Sequence, residues 1–143
     1  MAANIITLTT DFGTADSYAP AMKGVMLSIN PACTIIDITH DIAPRDIRGA
    51  CFALSACYRY FPGGTIHVAV VDPGVGSARR PILIETDDYL FVGPDNGLFS
   101  FALAGQGVKN VFELTNASCF IFAVRNQKKP HPIGAEKTSN KSC

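Results

Sequence analysis

Apolar, β-branched segments alternate with segments of helical periodicity through the first half of the chain, and this alternation limits the fold more than any other feature. The runs Ile5–Thr10, Thr34–Thr39 and Ile66–Val71 have the length and composition of strands. Between them, Tyr18–Asn30 and Ile47–Tyr60 carry apolar residues every three or four positions, which predicts helices. Strands that alternate with helices form βαβ units, and such units build a parallel sheet. The third run is nearly all apolar and is expected to be buried on both faces.

The second half of the chain continues with strands in a different pattern. Pro81–Thr86 and Tyr89–Val92 are predicted strands joined by a tight turn at residues 87 and 88, and Asn110–Leu114 is a further predicted strand. We therefore predict an α/β domain with a mostly parallel sheet and helices on both faces.

Composition argues against several classes of protein. The chain has 143 residues, of which 48% are hydrophobic and 17% charged, and this is typical of one folded domain. Its formal net charge is zero, so no general attraction to nucleic acid or to a membrane surface is expected. No apolar run approaches the roughly 18 to 20 residues that span a bilayer. The N-terminus lacks the pattern of a secretion signal. We predict neither a nucleic-acid nor a membrane partner.

The cysteines indicate a reducing compartment. There are five of them, an odd number, and no two have CxxC spacing. We interpret Cys33, Cys51 and Cys57 as reduced core residues of a cytoplasmic protein, and we expect no zinc site.

The chain changes character near residue 116. Residues 117–143 hold five Lys or Arg against one Glu, and their last part has no hydrophobic period. We predict a folded domain over residues 1–116 and a divergent, flexible tail over residues 117–143.

Three loops rich in aspartate and glycine each follow a predicted strand. They cover residues 10–16 (TDFGTAD), 72–76 (DPGVG) and 93–97 (GPDNG). Ligands of open parallel sheets bind beyond the carboxyl ends of the strands, so these loops are expected to converge on one cleft. Glycine lets the backbone approach a ligand, and aspartate accepts hydrogen bonds or acts as a base. Taken singly, each loop is also an ordinary turn, and Asp11 is also a simple helix cap.

The other polar candidates have structural interpretations of their own. His67 lies in an apolar strand and is interpreted as a satisfied core residue. His40 follows a strand end, where it either lines the cleft or has a structural role, and the structural role is favoured. Arg79 belongs to an adjacent pair of arginines, whose functional interpretation is that Arg79 holds a carboxylate ionised and oriented. The sequence has no phosphate loop, dinucleotide fingerprint or nucleophile elbow.

Four blocks of the sequence, taken in order, resemble one enzyme family. They are TLTTDFGTADSY, DITHDIAPRDIRGACFAL, FPGGTIHVAVVDPGVGSARR and FVGPDNGLFSFAL. From residue 5 to about residue 115 the chain resembles the N-terminal domain of the S-adenosylmethionine (SAM) hydroxide adenosyltransferases, or SAM hydrolases, which are related to the fluorinases and chlorinases. The family's fold is the α/β domain predicted above, followed by a second, β-rich domain.

The resemblance implies a reaction and a set of substrate contacts. Family members use water to cleave SAM into adenosine and L-methionine by in-line attack at the ribose C5′. Methionine leaves as a neutral thioether, so no metal or other cofactor is implied. The substrate-binding positions carried over are Asp11 for the ribose hydroxyls, Asp16 for the methionine amino group, Phe12, and Asn96 at the edge of the site.

The resemblance also implies the catalytic residues. Asp72 and Arg79 match two members of an Asp-Arg-His set that positions and activates the water. The halogenases have an aromatic residue at the Asp72 position, so aspartate there favours water over halide as the nucleophile. Asp72 is then the acceptor of a proton or hydrogen bond from water, and Arg79 keeps it ionised and in place.

Two family features are missing from these 143 residues. The family histidine stands in a block resembling FHGRDIFAP, which this chain does not contain, and His131 stands in a different context. The second domain does not follow either, and the family builds each site between two subunits of a homotrimer. The chain therefore resembles a truncated or frame-shifted relative that supplies half of the substrate contacts.

Two other functions stay open at this point. One is a non-catalytic module that binds adenosine, SAM or a partner chain, and the missing histidine block favours it. The other is Mg²⁺-dependent phosphoryl chemistry on a cluster of carboxylates formed by Asp11, Asp16, Asp72 and Asp95.

Overall fold

The fold is a six-stranded sheet with helices packed against it. The structure is a computed structural model that describes residues 4–74 and 79–115. Its strands are β1 (Ile5–Thr10), β2 (Thr34–Thr39), β3 (Ile66–Val70), β4 (Pro81–Thr86), β5 (Leu90–Pro94) and β6 (Val108–Glu113). Its helices are α1 (Tyr18–Ile29), α2 (Ile47–Cys57) and α3 (Ser100–Leu103), with a 3₁₀ turn at Tyr58–Tyr60. The division predicted at residue 116 and the tail of residues 117–143 lie outside the described residues.

The strand order in the sheet is β2-β1-β3-β5-β4-β6. The pairs β1–β2, β1–β3 and β3–β5 are parallel, whereas β4 pairs antiparallel with both β5 and β6. The connections from β1 to β2 and from β2 to β3 run in opposite directions across the sheet. Because such crossovers are right-handed, they place α1 and α2 on opposite faces. The predicted α/β class, with a mostly parallel sheet, is confirmed.

Helix α2 shows how local sequence sets an element. The carboxylate of Asp46 accepts a hydrogen bond from the backbone N–H of Gly49 at 2.8 Å, so Asp46 is the N-cap of this helix. The helix buries Cys51 and Leu54, and the buried side chain of Tyr58 follows on the same face. The α-helical part ends at Cys57, three residues earlier than predicted, because the chain tightens into the 3₁₀ turn before Pro62-Gly63.

The core lies between α2 and the sheet. Its largest buried side chains include Leu54, Tyr58 and Phe91, each fully inaccessible. The Tyr58 hydroxyl donates to the carbonyl of Ala102 in α3 at 3.0 Å, so this buried polar group is satisfied. Burying each large apolar side chain contributes on the order of 1.5 to 3 kcal/mol.

The two faces of β3 are buried unequally, which corrects one prediction. His67 and Ala69 point toward α2 and are fully buried, whereas Ile66, Val68 and Val70 on the other face are only partly buried. The reason is that α1 covers that face incompletely, since Ala19 is the only residue of α1 that is buried.

In the part of the chain that the structure describes, no helix is long and apolar enough to cross a membrane.

Candidate functional site

An open cleft of about 230 Å³ lies where β1 and β3 end. Its lining residues are Asp11, Phe12, Asp16, Tyr18 and Asp72. The two strands are parallel neighbours, with Thr10 opposite Val70, so the loops that follow them leave the sheet side by side. The convergence predicted for these two loops is therefore observed, and it brings three carboxylates to one cleft.

The loop after β1 supplies two of these carboxylates, and the backbone holds both. Asp11 Oδ2 accepts a hydrogen bond from the backbone N–H of Arg45 at 3.1 Å, so Asp11 ties its loop to the β2–α2 connection and does not cap α1. Asp16 Oδ1 accepts from the N–H of Tyr18 at 3.1 Å, at the start of α1. The rings of Phe12 and Tyr18 are 6.0 Å apart and form the apolar part of the lining. Each carboxylate keeps a second oxygen for other partners.

Asp72 supplies the third carboxylate, and Arg79 contacts it. The Nε of Arg79 lies 3.3 Å from Oδ1 of Asp72, and the N–H of Gly74 donates to the same oxygen at 2.8 Å. The Asp72 side chain is 5% exposed, whereas that of Arg79 is 33% exposed. A carboxylate withdrawn from solvent and held by a guanidinium has a fixed orientation, and both contacts involve Oδ1 rather than Oδ2.

The convergence predicted for the third loop, residues 93–97, is not observed, because neither Asp95 nor Asn96 lines this cleft. Asn96 uses its amide to hold the backbone, donating to the carbonyl of Val71 at 2.9 Å and accepting from the N–H of Leu98 at 3.0 Å. It supports the residue before Asp72 rather than lining the cleft. Asp95 forms an exposed ion pair with Arg80 at 2.9 Å. Its carboxylate is engaged there, which argues against the four-aspartate magnesium cluster.

Among the described residues, no group of three or more His, Cys, Asp or Glu side chains is arranged to hold a metal ion. Of the predicted core cysteines, Cys33 and Cys51 are buried and Cys57 is half-buried, and all three are free thiols. Burial raises the pKa of both Cys51 and Cys57.

The rings of both described histidines contact threonine hydroxyls, and neither histidine lines the cleft. Nδ1 of His40 lies 2.8 Å from the hydroxyl of Thr10, and Nδ1 of His67 lies 2.7 Å from the hydroxyl of Thr7. His67 is only half satisfied, because its Nε2 has no hydrogen-bond partner among the described residues.

The sequence did not lead us to predict Tyr18 as a cleft residue. The available signal was its place as the first helical residue after the loop of residues 10–16.

Comparison with known proteins shows the family of this chain. The family model of the SAM hydroxide adenosyltransferase N-terminal domain matches residues 6–133. The chain belongs to this family. An (R)-S-adenosyl-L-methionine hydrolase of Methanocaldococcus jannaschii is 47% identical over 116 residues, which cover 78% of this chain and 44% of that protein. A fluorinase of an Actinoplanes species is 27% identical over 135 residues, covering 78% of this chain and 45% of that protein.

A solved structure shares the fold of this SAM hydroxide adenosyltransferase domain. An uncharacterized conserved protein from Thermotoga maritima superposes with a TM-score of 0.76 at 38% identity, covering 79% of this chain and 44% of that one. The chain thus spans less than half the length of these relatives. Residues 6–133, which the family model matches, include the three carboxylates of the cleft.

Proposed function

We propose that this chain supplies the first-domain half of a site that hydrolyses SAM to adenosine and L-methionine. The observation that carries the proposal is Asp72, which is nearly buried, paired with Arg79 at 3.3 Å and part of the lining of a cleft that holds two further carboxylates. The hydrolase of M. jannaschii is 47% identical to this chain and the fluorinase 27%, so similarity also favours water as the nucleophile.

The electrostatics of the cleft suit a cationic substrate. Asp11, Asp16 and Asp72 place three acidic groups around the cavity, and SAM carries a sulfonium and an ammonium group. In this proposal Asp11 binds the ribose hydroxyls and Asp16 binds the methionine ammonium. Phe12 contributes apolar surface to the same binding site. Asn96 acts from outside the cleft, through its hydrogen bond to the carbonyl of Val71.

The reaction needs one positioned water and one proton acceptor. A water oxygen attacks the ribose C5′, the bond from C5′ to sulfur breaks, and its electron pair stays on the methionine sulfur. The water loses a proton, for which Asp72 is the acceptor. Both contacts described for Asp72 involve Oδ1, so we assign the proton to Oδ2. Arg79 stabilises the carboxylate before transfer and orients it.

The proposal includes no cofactor. A sulfonium already leaves as a neutral thioether, so neither a Lewis acid nor a redox group is required to activate it. The chain spans 44% of the M. jannaschii hydrolase, so the remaining substrate contacts come from residues outside the shared region. Assembly as a homotrimer and a cytoplasmic location stay predictions.

The test is a turnover assay with two matched variants. The full chain is incubated with SAM in metal-free buffer, and adenosine and methionine are followed by chromatography. Asp72→Asn should lower turnover by about 100-fold or more while adenosine still binds, because only the proton acceptor is lost. Asp95→Asn removes a nearby carboxylate that is outside the cleft and should leave turnover unchanged.

The outcomes separate the candidate functions. Equal turnover by the unmutated chain and by Asp72→Asn would refute the assigned role of Asp72. Binding of adenosine without turnover would indicate the non-catalytic module, which the short span of the chain relative to the hydrolases favours. Loss of turnover on adding EDTA would favour metal-dependent chemistry instead.

A further inference from the structure

A series of polar contacts runs from the surface of α1 to the wall of the cleft, and the proposed reaction does not use it. Lys23 Nζ contacts Asp37 Oδ2 at 2.5 Å. Asp37 Oδ1 lies 3.0 Å from Nε2 of His40, and Nδ1 of His40 lies 2.8 Å from the hydroxyl of Thr10. The same hydroxyl accepts a hydrogen bond from the backbone N–H of Phe12 at 3.2 Å. Four side chains from β1, β2, α1 and the loop after β2 thus lead to one amide of the cleft.

The chemistry of the partners determines which atom donates and which accepts in each contact. Burial raises the pKa of Asp37, but its contacts with Lys23 and His40 outweigh burial and hold the pKa below the usual value, so it is charged at neutral pH. A carboxylate only accepts, so it favours the His40 proton on Nε2, although this contact is not well aligned as a hydrogen bond. Nδ1 is then an acceptor, and the Thr10 hydroxyl donates to it while its oxygen accepts from Phe12.

His40 holds the same loop a second time through its backbone. Its carbonyl accepts a hydrogen bond from the N–H of Gly13 at 2.7 Å, and Gly13 has a left-handed φ of 71° that favours glycine. Two consecutive amides of the loop, those of Phe12 and Gly13, are therefore fixed by one buried residue. His40 is 6% exposed and does not line the cleft itself.

We propose that His40 is a positioning residue, which acts through Thr10 to fix the Asp11–Phe12 wall of the substrate cleft. This proposal rests on the proposed function of the cleft for its biological meaning, whereas the positioning itself is testable without a ligand. The imidazole fixes the orientation of the Thr10 hydroxyl, and that hydroxyl fixes the Phe12 amide. Asp11 and Phe12 are adjacent in the chain, so a loose Phe12 amide also loosens the Asp11 carboxylate.

The fold contains a matched control for this test. Thr7 and His67 form the same kind of pair as Thr10 and His40, with the hydroxyl 2.7 Å from Nδ1. Both residues of this second pair are fully buried, and neither lines the cleft. A change at His67 therefore reports the cost of losing a buried Thr–His pair without disturbing the loop.

The first measurement is amide hydrogen exchange by NMR on the full chain. His40→Ala should lower the protection of the Phe12 amide by about tenfold or more, since the Thr10 hydroxyl that accepts from it loses its partner, whereas the Gly13 amide donates to a backbone carbonyl and should stay protected. His67→Ala should leave both amides protected, even where it lowers overall stability more. His40→Asn places an acceptor near the position of Nδ1 and should restore most of the protection. If His40→Ala does not fold, Thr10→Val tests the same contact, because it removes the Thr10 hydroxyl.

The second measurement is the dissociation constant of adenosine by calorimetry. His40→Ala should weaken binding by about tenfold, whereas His40→Asn and His67→Ala should stay within about threefold. Unchanged protection of Phe12 in His40→Ala, or equal loss in His67→Ala, would overturn the positioning role. If the exchange result holds but the unmutated chain binds no adenosine, the positioning role stands and the proposed function fails.

Discussion

We expect this protein to lose stability in mild acid because of one buried side chain, His67. Its ring is fully inaccessible and lies within 6.0 Å, centroid to centroid, of four aromatic rings, those of Tyr58, Phe61, Tyr89 and Phe91. Its Nε2 has no hydrogen-bond partner among the described residues. Burial therefore lowers the pKa of His67 from 6.5 to about 4.

The size of the effect follows from the two pKa values. The folded protein keeps His67 neutral, whereas the unfolded chain takes up a proton below about pH 6.5, so acid favours unfolding. The loss begins near pH 6.5 and is complete below about pH 4, where it reaches about 3.4 kcal/mol. Between pH 7 and pH 5 it amounts to about 2 kcal/mol. This is a large fraction of the stability of a small domain.

The assay is denaturant unfolding at pH 7 and pH 5, for the unmutated chain and for His67→Asn. Asparagine keeps an acceptor near Nδ1 for Thr7 but does not titrate in this range. The substitution also loses packing, but this lowers the free energy of unfolding equally at both pH values. The loss therefore cancels when each protein is compared with itself at pH 7 and pH 5. The unmutated chain should lose about 2 kcal/mol more than the variant. Equal losses in the two proteins would show that His67 does not carry the acid sensitivity.

Three substitutions away from His67 test other features. Gly93→Ala should cost about 3 kcal/mol of stability or prevent folding, because the new Cβ would collide with the carbonyl of Ala69 and lie 2.9 Å from the Phe99 ring. Denaturant unfolding measures this cost, and an unchanged stability would contradict the close approach of Gly93 to Ala69. Asp46→Ala should lower the melting temperature through loss of about 1 kcal/mol, since α2 loses its N-cap, and Asp46→Asn should restore most of it. Arg45→Gly should be neutral or stabilising by about 1 kcal/mol, because the left-handed φ of 67° strains the backbone at Arg45 and its side chain is exposed. A clearly lower melting temperature would refute this backbone strain.

Much of the fold follows from local pattern. The starts and ends of β1, β2 and β4 agree with the sequence prediction, and β3 ends one residue early. The alternation of β-branched runs with helical periods determines these elements locally. The position of β5 between β3 and β4 was not predicted, because the turn at residues 87 and 88 indicates a hairpin but not which of its strands joins the parallel sheet. That choice depends on packing, since Phe91 of β5 belongs to the core beside Tyr58.

The site was predictable as far as it depends on strand ends. Asp11, Asp16 and Asp72 follow parallel neighbours, so topology alone brings them together, whereas the specific roles came from the family resemblance. The support of the site was not predictable in the same way. The contact of His40 with Thr10 joins residues 30 positions apart, and it depends on the register of β1 and β2, which places Thr9 opposite Thr39. Sequence periodicity predicts that two strands form, but not the register in which they pair.

The strand order also has a consequence for how the chain is made. β1 leaves the ribosome before the other described strands, yet it lies inside the sheet between β2 and β3. Its partner Val70 is 60 positions beyond Thr10, and at roughly 5 to 20 residues per second this takes about 3 to 12 seconds to synthesise. Until then, a β-branched apolar segment with an unpaired edge is open to other chains. The newborn protein is therefore most exposed to aggregation before its third strand emerges, and a chaperone would protect it best in that interval.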